Sequence, residues 1–104
     1  MITVTRFIKG GKAMAIRVRI PGTLGRFTNN QSLVEASGKT VIDVIENLDK
    51  NYPGFKKGVC DEEGDFRKFI NIYLNMEDIR YLDRKKTIVK DGDEITLVMA
   101  IAGG

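Results

Sequence analysis

The segment from Thr40 to Tyr52 limits the possible folds of this chain more than any other. Val41, Val44, Ile45, Leu48 and Tyr52 recur at spacings of three and four, which places them in one apolar stripe along a helix. Thr40 is a favourable N-cap. Asp43, three residues on, gives a variant of the capping box and suits the positive end of the helix dipole. Pro53-Gly54 ends the helix. A stripe this apolar must be buried, and in a chain of 104 residues the partners available to it are strands.

The flanking sequence supplies them. In Ala15-Ile16-Arg17-Val18-Arg19-Ile20 the aliphatic residues point one way and the arginines the other, the period of a half-buried strand. Pro21-Gly22 closes it, Thr23 to Asn30 reads as a polar loop or wide turn, and Gln31 to Ser37 reads as a second strand pairing back as a hairpin. Residues 55 to 66 contain Gly58, Gly64 and Asp61-Glu62-Glu63 and read as a loop with at most one turn of helix. Phe69 to Leu74 then alternates cleanly, with Ile70, Ile72 and Leu74 on one face. Asn75-Met76-Glu77-Asp78 reads as a turn into a short strand, Ile79-Arg80-Tyr81. Thr87-Ile88-Val89 adds a brief extended piece. Lys90-Asp91-Gly92-Asp93 is a strong turn signal, and the last strand runs from Glu94 to Ile101.

Strands before and after a single helix, with hairpin signals at both ends, predict an α+β domain: a mixed sheet wrapped over one main helix. The first and last strands would lie parallel in its middle, the β-grasp pattern of ubiquitin. This domain is expected over residues 14–104. Residues 1–13 read as a separate N-terminal extension, with Thr3, Val4, Phe7 and Ile8 able to form a short edge strand before the flexible Lys9-Gly10-Gly11-Lys12.

Composition narrows the function. No stretch approaches the roughly 20 apolar residues of a membrane span, and no signal-peptide core opens the chain, so a cytoplasmic protein without a membrane partner is expected. A net charge of +3 is modest. The basic residues are dispersed and interrupted by acidic ones, which argues against nucleic acid. Cys60 is the single cysteine and there is no histidine, so neither a zinc site nor a cysteine-histidine pair is available. Gly22-Thr23-Leu24-Gly25 lacks the lysine and hydroxyl of a phosphate loop. The carboxylate pairs Glu62-Glu63 and Asp91-Asp93 sit in loops without an apolar setting to separate their pKa values. The reading is therefore of a protein that is not an enzyme and binds no cofactor or metal.

The end of the chain offers different chemistry. Ala102-Gly103-Gly104 follows directly on the apolar strand Ile95 to Ile101. Two terminal glycines have no β-carbon, so they can thread a narrow channel and present the Gly104 carboxylate to another protein's active site.

The residues from Met14 to Gly104 resemble the ubiquitin-like sulfur-carrier family, which includes the carriers of thiamine and molybdopterin synthesis. The run Asp91-Gly92-Asp93-Glu94-Ile95-Thr96-Leu97-Val98-Met99-Ala100-Ile101-Ala102-Gly103-Gly104 is similar to that family's ending. Phe69-Ile70-Asn71-Ile72-Tyr73-Leu74-Asn75-Met76-Glu77-Asp78-Ile79-Arg80 is more specific, being similar to a segment of the branch that serves cysteine biosynthesis. The resemblance implies that an adenylating enzyme of the ubiquitin-activating type uses ATP on the Gly104 carboxylate. A sulfur donor then displaces AMP to leave a thiocarboxylate. In the cysteine branch the acceptor is an activated serine held on pyridoxal phosphate by a cysteine synthase. Alternatives within the resemblance are the small subunit of molybdopterin synthase, a carrier for thiamine or tRNA thiolation, and a ubiquitin-like modifier or adaptor.

Strand parity locates the expected docking surface. With Ile70, Ile72, Ile95 and Leu97 in the core, Tyr73 and Val98 fall on the outer sheet face, with Phe69 and Ala100 nearby. Such a charge-free apolar patch suits the centre of an interface, and Tyr73 and Val98 are the expected contacts with the activating enzyme.

Overall fold

The alternation in Ile16-Arg17-Val18-Arg19 produces strand β1 (Ile16–Arg19), in which Ile16 and Val18 are fully buried and both arginines are exposed. The computed structural model describes residues 15–100. Within them β2 (Leu33–Ala36), β3 (Ile70–Leu74), β4 (Glu77–Asp78) and β5 (Glu94–Met99) complete one sheet, with α1 (Val41–Asn51) and α2 (Phe55–Val59) between β2 and β3. The spatial order is β2-β1-β5-β3-β4. β1 and β5 are parallel, as expected, with Val18 beside Ile95, and the other neighbours are antiparallel. The β-grasp architecture read from the sequence is the architecture observed.

The helix stripe does what its spacing requires. Val41, Val44, Ile45 and Leu48 are completely buried, joined in one core by Val18, Ile72, Ile95 and Leu97 from the sheet, with Tyr52 packed at its margin. The cap forms as predicted: the Asp43 N–H donates to Thr40 Oγ1 at 3.3 Å, while the Asp43 carboxylate accepts from the Lys39 N–H at 3.4 Å. Gly38 leads into this turn. A Cβ on it would stand 2.7 Å from the Val44 nitrogen, so the exit from β2 approaches the helix more closely than any side chain permits.

Residues 55–66 are more ordered than a loop. Asp49 accepts hydrogen bonds from the Gly54 and Lys56 N–H groups at 3.2 and 2.9 Å, which fixes the start of α2. α2 then delivers Phe55 and Val59 to the core, with the Phe55 ring edge-on to Phe27 at 6.4 Å. The expected loop at Thr23 to Asn30 is largely a 3₁₀ segment, Gly22–Phe27, that buries Leu24.

The expected strand Ile79-Arg80-Tyr81 is not a strand. Glu77–Asp78 pairs with β3 as β4, and Ile79–Tyr81 forms a 3₁₀ turn because the Asp78 carboxylate accepts from the Arg80 N–H at 2.9 Å and turns the chain away from the sheet. Thr87-Ile88-Val89 runs extended beside the entrance to α1, through a bridge between Ile88 and Thr40. The N-terminal strand suggested by Thr3 to Ile8, together with Met14 and Ile101, lies outside the described residues.

The β3–β4 turn yields a stability prediction. Asn75 and Met76 both have positive φ, 51° and 77°, as a two-residue type I′ hairpin requires. Met76 is 92% exposed and gains nothing from packing there. Met76→Gly relieves about 1–2 kcal/mol of left-handed strain and loses roughly 0.5–1 kcal/mol to unfolded-chain entropy. A net gain of about 0.5–1 kcal/mol is expected, read as a higher urea midpoint at unchanged slope. A lower midpoint refutes this account of the turn.

Candidate functional site

The outer face of the sheet is built by the residues that alternate with the core. One row crosses all five strands: Leu33, Arg19, Thr96, Tyr73 and Asp78 are successive partners in register. Toward the C-terminal end of β5 the next row pairs Val98 with Asn71. Beyond it the Ala100 N–H donates to the Phe69 carbonyl at 2.7 Å. Tyr73 and Val98 are therefore diagonal neighbours, and Phe69 and Ala100 form the adjoining step.

Exposure follows the strand parity. Phe69 is 44% and Val98 39% exposed, Ala100 is exposed and Tyr73 half-buried, whereas Ile70, Ile72, Ile95 and Leu97 are buried on the other side. All four patch residues are thus brought together on one surface. Ala102, Gly103 and Gly104 lie outside the described residues. β5, the strand that precedes them, is the central strand of the sheet, with β1 on one side and β3 on the other.

The opposite end of the same face is ionic. Glu94 lies beside Arg17 in register and accepts from the Arg19 Nε and, at 3.4 Å, from the Arg17 guanidinium. Asn75 anchors the same strand end: its side-chain oxygen accepts from the Glu94 N–H and its amide donates to Asp93, each at 3.0 Å. The outer face is consequently divided, with charge near the start of β5 and apolar surface near its end.

Sequence reasoning placed Arg17 and Arg19 outward but did not find their partner. Glu94 is 75 positions from Arg19, and only the parallel register of β1 and β5 joins them. Hydrogen bonding to Arg19, followed by the charges of Arg19 and Arg17, holds the Glu94 carboxyl below its ordinary value. Because the folded-state pKa is depressed, the stabilisation is complete above the ordinary glutamate range and is lost as pH falls through the folded value. Thermal midpoints measured from neutral to acid pH should therefore fall more for the native chain than for Glu94→Gln. Superimposable profiles would show that the ionic triad contributes nothing.

Cys60 is buried, and desolvation pushes its thiol pKa up. A thiol held protonated is a poor nucleophile. Among the described residues no group of three or more His, Cys, Asp or Glu side chains could hold a metal ion, and no helix is long and apolar enough to cross a membrane.

Comparison with known proteins places this geometry. The ThiS family model matches residues 18–104. Sulfur carrier protein CysO of Mycobacterium tuberculosis is 40% identical over 93 residues, covering 88% of this chain and all of that protein. A chain in the crystal structure of the Amycolatopsis orientalis BexX/CysO complex superposes with a TM-score of 0.81 at 39% identity, over 86% of this chain and 100% of that one. The solution structure of small archaeal modifier protein 1 from Methanosarcina acetivorans gives a TM-score of 0.75 at 30% identity, over 90% and 100% of the two chains. With its ubiquitin-like sheet and a family match that runs through Gly104, the chain belongs to the ThiS family and is a sulfur carrier of the CysO/ThiS type.

Proposed function

We propose that the chain carries sulfur as a thiocarboxylate on Gly104 and delivers it to cysteine biosynthesis. A carboxylate is a poor electrophile. An adenylating partner is therefore needed to join the Gly104 carboxylate to the α-phosphate of ATP, releasing pyrophosphate. A sulfide-level donor next attacks the acyl carbon and expels AMP, which leaves sulfur in place of one carboxylate oxygen. The loaded tail is nucleophilic at sulfur and stays covalently tethered, so the acceptor meets it at a high local concentration without free sulfide. On a pyridoxal-phosphate-dependent cysteine synthase the sulfur bonds to the β-carbon of an activated serine in place of its leaving group. The resulting thioester passes by an S-to-N acyl shift to a terminal peptide bond, and hydrolysis of that bond releases cysteine and restores the Gly104 carboxylate.

The observation that carries this reading is the 40% identity to CysO along that carrier's whole length. The apolar step formed by Phe69, Tyr73, Val98 and Ala100 supports the docking part of it, and the solved BexX/CysO complex supplies an example of a similar chain with a partner protein. The likeness to the archaeal modifier favours a second reading, in which the same carboxylate forms an isopeptide bond with lysine. Intact-mass analysis of the protein isolated from its own cells separates the two. Replacement of one terminal oxygen by sulfur is the expected result. A ladder of branched conjugates without any sulfur-bearing form would overturn the carrier reading in favour of the modifier.

A further inference from the structure

β3 is incompletely paired. Among the described residues β4 covers only Tyr73 and Leu74, so no strand lies beside Ile70 to Ile72 on that edge. The direction of the backbone groups follows from the hydrogen bonds on the β5 side. Ala100 donates to Phe69 and Asn75 donates to Glu94, so the odd-numbered residues of this stretch face β5 and the even-numbered ones face outward. The Ile70 N–H turns back to the Arg67 carbonyl at 3.0 Å. The Tyr73–Asp78 pair directs the Ile79 N–H at the Ile72 carbonyl, which leaves the Ile70 carbonyl and the Ile72 N–H directed at the open edge.

That edge is not a flat surface. It borders a cavity of about 470 Å³ whose apolar lining includes Phe66, Ile70, Ile72 and Ile79. Arg67, Lys68, Arg80, Arg84 and Lys85 surround it, with Asp65 as the one acidic lining residue among the described residues. Three of the cations are engaged: Arg67 on the Lys57 carbonyl, Arg80 on Asp78 and Lys85 on Asp65. Lys68 and Arg84 are exposed, with no salt bridge among the described residues.

An unpaired strand edge is a template for another strand. We propose that the β3 edge at Ile70 to Ile72 is a docking groove for an extended acidic segment of a partner protein, which pairs with the Ile70 carbonyl and the Ile72 N–H as an added strand and sets its carboxylates against Lys68 and Arg84. One open acceptor beside one open donor favours a peptide over a phosphate-bearing ligand, because the Ile70 carbonyl repels phosphate but accepts an N–H. This groove lies across β3 from the Val98 side of the sheet, and its occupancy does not depend on the sulfur chemistry.

The test uses the full chain, isotopically labelled, titrated with a short capped peptide that alternates glutamate and valine. Expected are amide shifts centred on residues 70–72, slowed hydrogen exchange at the Ile72 amide, and affinity about tenfold weaker for the Lys68→Glu/Arg84→Glu double variant, the scale of rim electrostatics. A lysine-valine peptide should not bind. The proposal is overturned by no binding at millimolar glutamate-valine peptide, or by binding that leaves Ile72 exchange unchanged. Equal occupancy by a single-stranded oligonucleotide also overturns it, as does an Ile72 amide already protected in the free protein, since the chain would then cover its own edge.

Discussion

Deleting Gly104 is expected to reduce sulfur loading to background while leaving association with the activating enzyme within a few-fold of the native value. The two readouts separate because they depend on different parts of the molecule. Adenylation needs the terminal carboxylate at a fixed distance from the docked sheet. Removing one residue withdraws that carboxylate by about 3.5 Å of extended chain, and a misplacement of even 1 Å at a reacting centre can cost about a hundredfold. The new end, Gly103, is still a glycine carboxylate, so the loss would come from reach and not from chemistry. ATP–pyrophosphate exchange with the activating enzyme measures the first step, and intact mass after addition of a sulfur donor measures the second. Loading at more than a few per cent of the native rate would remove Gly104 from the mechanism. Loss of binding together with loading would instead make the tail a docking element.

The parts of this molecule that were legible in the sequence share one property: their signals are local. Thr40 and Asp43 cap α1 through neighbouring atoms, and the stripe from Val41 to Leu48 is buried whatever it packs against. The parity of Ile70, Ile72, Ile95 and Leu97 likewise follows from alternation within each strand. Partners distant along the chain were less accessible. Arg19 and Glu94 meet only through the β1–β5 register. The groove beside Ile72 exists because β4 stops after two residues.

Local patterns also misled where two structures share them. Ile79 and Tyr81 alternate as a strand would, and the buried Ile79 beside the exposed Arg80 fits either outcome. Asp78 decides it. Its carboxylate binds both the backbone N–H and the guanidinium of Arg80, a bond set that closes a turn and competes with the extended ladder. The same effect at Asp49 organises α2 out of a segment whose glycines and charges read as a loop. For the functional patch, sequence parity was sufficient to put Phe69, Tyr73, Val98 and Ala100 on one face. The pairing added which of them are neighbours in register.

Val98→Asp tests that patch most severely. Val98 occupies the central strand between the ionic end of the face and Ala100, opposite Asn71, with no charged residue directly beside it in the β3 register. An activating enzyme that covers this surface must strip water from whatever stands at position 98. For valine the desolvation is favourable, whereas an unpaired carboxylate costs several kcal/mol to bury. A loss of about 3–4 kcal/mol corresponds to roughly 10²–10³-fold in kcat/KM for adenylation, carried mainly by KM when the contact is made equally in the ground and transition states. The fold should persist, since the native side chain is 39% exposed. Placing aspartate in a strand costs at most about 1 kcal/mol of local preference, a change visible in the urea midpoint. Val98→Ala keeps the patch neutral and should lose no more than about tenfold, so charge and lost contact area are distinguishable. Adenylation of Val98→Asp at the native rate, with the domain folded, would move the docking surface off this face altogether. Retention of adenylation with loss of transfer to the acceptor would reassign the patch from the activating enzyme to the sulfur-accepting one, since both must approach the tail from the sheet that carries it.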